Sequence, residues 1–292
     1  MRLHVVDGTY ELFRAHFSKR PDHVSPAKQN VKAAVGLVWS ILFLLTDRVE
    51  NVTHLAVAFD NPIRSFRNDL FDGYKTEEGI DPELRAQFDL AEEAMRALGV
   101  VVWSMDKYEA DDALATAAAR WSSDVEQVRI MTPDKDLGQS IRGQRVVQVD
   151  RLRKKEIDEE GLFATRGIAP ASIPDWLALV GDTADGIPGV PGFGEKTAAA
   201  LLRVYKHLEH IPDEAARWDA PVRGAERLAK SLREMRDEAM LYRTLATLAI
   251  DVPLEESLED LRWRGVPHSE WIEWCDLMGV NELRERPTKW FT

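Results

Sequence analysis

An α/β fold built on a mostly parallel sheet flanked by helices is predicted by three observations. Four short β-branched runs, at 3–6, 55–59, 100–103 and 128–131, alternate with helical patterns at 31–48, 82–98 and 111–121. Strands separated by helices of this length assemble as parallel sheets. Each run ends at or shortly before an acid, namely Asp7, Asp60, Glu109 and Asp134, and open parallel sheets bind ligands beyond the carboxyl ends of their strands. After Asp150 the strand signals largely stop, and 171–181, 195–206 and 224–249 read as helices.

The remaining features fit a large α/β domain with a smaller helical region. At 292 residues and 45% hydrophobic content the chain can bury a substantial core. The apolar stretch 35–45 includes Ser40 and is far too short for a bilayer, so it reads as a buried core helix and no membrane partner is expected. Cys275 is the single cysteine, and Asp7 and Glu11 interrupt the apolar run a signal peptide would need; a reducing cytoplasm and a monomer are expected. Asn51-Val52-Thr53 is a chance sequon in that setting. Residues 251–292 are richer in Pro and Trp and hold only short helical patterns. The basic run 151–155 reads as solvated surface before a binding site. No internal repeat or low-complexity tract is evident.

A net charge of −12 argues by itself against nucleic acid as a partner, unless many acids converge on bound cations that cancel them locally. Nine acids invite that reading: Asp7, Asp60, Glu109, Asp111, Asp112, Asp134, Asp136, Asp182 and Asp185. Each falls at a strand end, a helix start or a loop. Any one alone is accounted for as a helix N-cap. Converging carboxylates repel, so a cluster needs cations, and an all-oxygen donor set with no Cys or His pattern favours Mg²⁺ or Mn²⁺ over Zn²⁺. Two such ions can drive phosphodiester hydrolysis. Asp182 and Asp185 open the segment 181–197, whose glycines allow backbone amides to approach a phosphate and whose end starts a helix. The competing reading is a tight turn that merely joins helices. Gly194-Glu195-Lys196-Thr197 lacks the Gly-Lys-Thr order of a nucleotide-binding loop, because Glu195 intervenes.

The ordered set of motifs resembles the 5′-nuclease family that includes the 5′→3′ exonuclease domain of bacterial DNA polymerase I and stand-alone flap endonucleases. The matching pieces are Val6-Asp7-Gly8 with Phe13-Arg14-Ala15, Phe59-Asp60 with Ser65-Phe66-Arg67, Tyr74-Lys75, Tyr108-Glu109-Ala110-Asp111-Asp112, Thr132-Pro133-Asp134-Lys135-Asp136, and 181–197. They span roughly residues 1 to 250, and no polymerase region follows, so a stand-alone nuclease is expected.

The resemblance implies a PIN-like core over 1–170 with a gateway or arch near 72–98. It implies a helix-turn-helix DNA-binding region over 171–250, and 251–292 as an extension packed on the core. It further implies that Asp60, Glu109, Asp111, Asp112 and Asp134 hold a first divalent ion, that Asp136, Asp182 and Asp185 hold a second, and that Asp7 supports them. Lys75 matches the active-site lysine that meets the scissile phosphate, against the plainer reading of a lysine snorkelling beside Tyr74, itself a DNA contact in the family pattern. Arg14 and Arg67 stand as phosphate contacts or as core-edge arginines paired with acids. Gly189, Gly192 and Gly194 match the hairpin that holds a duplex phosphate, with Lys196 as a further contact. Carbonyls around Val190 and Gly192 match a K⁺ site.

One segment departs from the family pattern. Glu78 stands where polymerase-associated relatives carry an arginine, and Arg85 is the nearest candidate to compensate. The expected function is metal-dependent 5′→3′ exonuclease and 5′-flap endonuclease action on DNA in replication or repair. The alternatives are a noncatalytic junction-binding protein and a PIN-like ribonuclease.

Overall fold

The computed structural model describes residues 1–291. In chain order it contains β1 (Arg2–Asp7), α1 (Gly8–His16), α2 (Lys32–Thr46), β2 (His54–Asp60), α3 (Arg67–Leu70), α4 (Pro82–Arg85), α5 (Phe88–Ala97), β3 (Val101–Met105), α6 (Ala110–Trp121) and β4 (Gln127–Met131). Then follow β5 (Val146–Asp150), β6 (Lys155–Ile157), α7 (Glu159–Arg166), α8 (Ile173–Val180), α9 (Glu195–Tyr205), α10 (Ala225–Glu234), α11 (Arg236–Ala246), β7 (Val266–Pro267), α12 (His268–Met278) and β8 (Trp290–Phe291). No helix among the described residues is long and apolar enough to cross a membrane.

The chain divides into two compact units: 1–64, 77–132 and Ile250 onward form the first, and 65–76 with 133–249 form the second. Ile141, Leu162 and Ile168 pack in one apolar cluster with residues of α8, α9 and α11, which draws 133–170 into the helical unit. In the first unit the strands run in the order β3, β2, β1, β4, all parallel, and β1 and β2 are buried almost throughout, as a sheet covered on both faces requires. The second unit carries the antiparallel pair β5 and β6 beside its helices. The β5 run, Val146 to Asp150, is a strand that the four-run reading left out.

Two helices expected to be continuous are broken, each for a local reason. The 82–98 pattern splits at Gln87 (φ −102°, ψ 1°). The Gln87 carboxamide turns away to accept the N–H groups of Ala33 and Ala34 at 2.8 and 3.2 Å, satisfying the free donors at the start of α2, which has no cap of its own. The 224–249 pattern splits at Met235 (φ −120°, ψ 27°), after which Arg236 donates to the carbonyls of Leu208 and Ile211 and to Asp213. The Trp-rich end is also more ordered than its pattern suggested. Trp271 and Trp274 of α12 are buried, and the Trp271 indole N–H reaches the Leu283 carbonyl at 3.1 Å.

A buried charge network ties the sheet to the turn before β2. His4 on β1 and Arg129 on β4 are register partners, so both side chains leave the same face. Both reach Glu50, His4 Nε2 at 3.1 Å and Arg129 Nε at 2.6 Å. Burial opposes the Glu50 carboxylate, but hydrogen bonds from His4 and Arg129 outweigh it and bring its pKa down to about 2. Burial lowers the pKa of His4 against the pull of Glu50. The ring is therefore neutral, donating through Nε2 and leaving the Nδ1 lone pair buried without a partner. Both folded pKa values lie below their unfolded ones, so this stabilisation is complete above about pH 6.5 and is lost as pH falls, through the His4 step first and the Glu50 step later. Urea midpoints are expected to decline steadily from pH 7 to pH 4. Glu50→Gln should cost about 2 kcal/mol at pH 7 and flatten the lower part of that decline. A variant as stable as the parent at pH 7 would show that the network does not hold the sheet.

Candidate active site

In the first unit the acids line the carboxyl edge of the parallel strands. Asp7 ends β1 and caps α1, accepting the Tyr10 N–H at 2.8 Å through Oδ1 and the Thr132 hydroxyl at 3.0 Å through Oδ2. Asp60 ends β2; its Oδ1 accepts the Ala110 N–H at 2.7 Å, and its own N–H goes to the Thr9 hydroxyl. Glu109 caps α6 in a reciprocal box with Asp112, whose Oδ2 accepts the Glu109 N–H at 2.9 Å. Asp111 lies half-buried in the first turn of α6, and Glu109 and Asp112 are buried. The capping role that accounts for single acids thus holds at Asp7 and Glu109. Those caps fix the carboxylates at strand and helix ends.

In the second unit the carboxylates of Asp136, Asp182 and Asp185 come together, each offering an oxygen within 4.8 Å of the others. Asp136 begins a short 3-10 turn, Asp136–Ser140, and its N–H donates to Asp134 at 2.9 Å. Burial pushes the Asp136 pKa well above the usual carboxylate range, and the negative charges of Asp134, Asp185 and Asp182 push it further. Its Oδ1 is buried and has no hydrogen-bond partner. Two lysines supply counter-charge, Lys135 to Asp182 and Lys75 to Asp185, each at 2.9 Å. A buried, orphaned carboxylate oxygen among hard oxygen donors is what a divalent cation fits. Lys135 was not singled out from the sequence, although a cation set between two candidate ligands is a visible signal.

The backbone positions these groups. The Lys75 N–H donates to the Asp185 carbonyl at 3.1 Å, which holds 65–76 against the loop carrying Asp185. Gly186 has φ +75°, and a Cβ there would lie 2.1 Å from the Gly73 carbonyl oxygen. Further on, the Phe193 N–H donates to the Val190 carbonyl at 3.1 Å, and Gly192 at φ +91° completes a tight turn after Pro191. Gly189 lies buried with φ +75°. Gly194 caps α9 with no side chain to offer, and Lys196 is exposed in its first turn. With no side-chain cap, the first amides of α9 form a helix end of the kind that accepts an anion.

Three expected DNA contacts look different in the structure. Arg67 is 1% exposed and gives Nε to the Leu245 carbonyl at 2.7 Å and Nη2 to the Thr247 carbonyl at 3.0 Å, so it braces the end of α11 and has no surface to offer a phosphate. Tyr74 is 4% exposed and belongs to the apolar cluster of the helical unit, which excludes it as a contact in this conformation. Arg14 pairs with the buried Glu11 and with the Ser40 hydroxyl, the core-edge alternative raised by its sequence context.

Comparison with known proteins accords with this architecture. Residues 2–167 match the family described as 5'-3' exonuclease, N-terminal resolvase-like domain, and residues 168–269 match 5'-3' exonuclease, C-terminal SAM fold. A 5'-3' exonuclease of Aquifex aeolicus is 31% identical over 261 residues, covering 89% of this chain and 86% of that protein. DNA polymerase I of Bacillus caldotenax is 32% identical over 289 residues, 98% of this chain and 32% of the polymerase. The chain therefore spans about a third of the length of the polymerases it matches. Among solved structures, the T5 D15 protein co-crystallized with metal ions shares the fold with a TM-score of 0.63 at 18% identity, over 84% of this chain and 89% of that one. The catalytic core of Rad2 in complex with DNA substrate aligns with a TM-score of 0.61 at 13% identity, over 95% of this chain and 88% of that one. A resolvase-like α/β unit with acids at its strand ends, and a SAM-type helical unit with an acid-flanked glycine hairpin, define the class. The chain belongs to the 5'-3' exonuclease family.

Because Gly186 has both a positive φ and no room for a Cβ, Gly186→Ala is expected to lower stability by about 2 kcal/mol or more. The denaturant midpoint reads it. A parental midpoint would mean that 65–76 is not held on the Asp185 loop.

Proposed function

We propose that the chain is a metal-dependent 5′-nuclease that hydrolyses phosphodiester bonds of DNA at 5′ ends and flaps. The observation that carries this reading is the group Asp136, Asp182 and Asp185, with its orphaned buried oxygen, on the same unit as the glycine hairpin. Asp136, Asp182 and Asp185 would hold one divalent ion, Mg²⁺ or Mn²⁺, and Asp134, which the family pattern assigns to the other ion, lies against this group through the Asp136 N–H; Asp60, Glu109, Asp111 and Asp112, braced by Asp7, would hold the other. Such ions polarise the phosphate and lower the pKa of water.

The chain's own residues divide the remaining work. The turn at Gly189 to Gly194 and the opening amides of α9 hold a duplex phosphate, with Lys196 beside them. Carbonyls of the same turn, Val190 and Gly192, would surround a K⁺ ion. Lys75 and Lys135 offset the carboxylate charge, and the Lys75 ammonium would face a non-bridging phosphate oxygen and offset charge gathering there. A monomer in the cytoplasm, working on DNA during replication or repair, fits this assignment.

Cleavage of an end-labelled 5′-flap DNA beside a matched RNA flap, with Mg²⁺, Mn²⁺ or chelator, tests the proposal. Cutting near the DNA junction that disappears with chelator is expected. Tight, structure-selective binding without cutting would replace the nuclease by a junction binder, and preferred cutting of the RNA flap would make it a ribonuclease.

Asp134→Asn is expected to lower turnover at least a hundredfold with the fold intact by circular dichroism, a loss of about 3 kcal/mol in transition-state stabilisation. Near-parental cleavage would remove Asp134 from the metal set. For Lys75→Ala, kcat should fall more than DNA affinity; equal losses would make Lys75 a general phosphate clamp.

A further inference from the structure

α7 ends in a cation that no step above uses. Arg166 is half-buried in the last turn of α7, with its guanidinium 5.0 Å from the centroid of the Trp176 ring. Trp176 is itself 3% exposed and fixed at its other end, where the indole N–H meets the Glu195 carbonyl at 3.3 Å. The cation therefore rests on a platform that cannot turn.

The face of α7 that carries Arg166 is also defined. Leu162 lies one helical turn earlier on the same face. Its Cδ1 is 3.5 Å from where a Cβ on Gly138 would be, and Gly138 belongs to the 3-10 turn that Asp136 begins. Arg166 thus projects from a helix face packed on the Asp136 turn. Burial presses its pKa down, and the charges that oppose this are those of Glu195, Asp136 and Asp134, in that order. A guanidinium stays charged under such pressure.

We propose that Arg166 is a fixed counter-charge on the Asp134 and Asp136 side of the acid group, and that it sets how tightly this group holds divalent ions. It is a positioning residue that acts through the carboxylates. This rests on the metal reading above and deepens it. A permanent cation lowers the repulsion among the acids when no ion is bound, and it weakens the attraction for an entering dication. The site then folds without metal and exchanges it readily. Glu195, at the start of α9, draws on the same guanidinium and moderates its effect.

The plainer account is that Arg166 only complements the C-terminal end of α7. The two accounts differ in what happens to metal affinity.

Mn²⁺ titrated calorimetrically into the full chain, without DNA, separates them. Arg166→Met keeps an apolar stem on the Trp176 ring and removes the charge. It is expected to tighten Mn²⁺ binding about three- to tenfold, as loss of one like charge near a dication implies. Arg166→Lys should keep parental affinity. Glu195→Gln leaves the guanidinium less compensated and should weaken binding, the opposite sign from Arg166→Met, whose tightening a loss of folding cannot produce. Equal affinities in the parent, Arg166→Met and Glu195→Gln would overturn the role of Arg166 while leaving the metal site standing. No saturable Mn²⁺ binding by the parental chain would overturn both.

Discussion

Like-charge repulsion around Asp136 is the constraint on which the helical unit depends. A buried carboxylate with three acids acting on it has a pKa driven far upward. The protein opposes this with two lysines brought from separate segments, Lys135 from the loop after β4 and Lys75 from 65–76. The geometry that follows is exacting. Lys75 reaches Asp185 because its own N–H is bonded to the Asp185 carbonyl, and that approach leaves no room for a Cβ at Gly186. Burying Arg67 at 1% exposure serves the same end, since its bonds to two carbonyls at the end of α11 anchor the segment that delivers Lys75.

Much of this was legible because it depends on local chemistry. Alternating strand and helix periods placed β1 to β4 within a residue or two, and acids that follow strand runs point to the carboxyl edge of a parallel sheet whatever the rest of the fold does. Glycines that need positive φ leave a composition mark, so the 181–197 hairpin was visible as well. The acids of that hairpin and of the 132–136 motif are near one another because short loops carry them.

What was not legible depended on partners distant in sequence. Gln87 breaks a helix pattern because it caps α2 from more than fifty residues away. Arg67 stood open between a phosphate contact and a core-edge arginine, and Tyr74 read as a DNA contact beside Lys75, yet both are buried by helices more than a hundred residues later in the chain. Periodicity describes one element at a time and carries no information about which element will cover it.

The acidic segment after Lys75 shows how far formal charge misleads. Most of the expected gateway at 72–98 is not an arch: Phe88, Ala91, Ala94 and Met95 of α5 are core residues. What remains is a short stretch up to α4, and three of its acids have local tasks. Glu77 pairs with Arg85 at 3.1 Å, Asp81 caps α4 and approaches His16 at 3.4 Å, and Glu83 accepts from Asn30 at 2.9 Å. Arg85, which lies over the Phe88 ring, is thereby committed and does not stand in for the arginine replaced by Glu78. Exposed pairs of this kind contribute little stability. They do pin side chains and cancel part of the field, so the potential of this segment is set by fewer charges than the sequence count suggests.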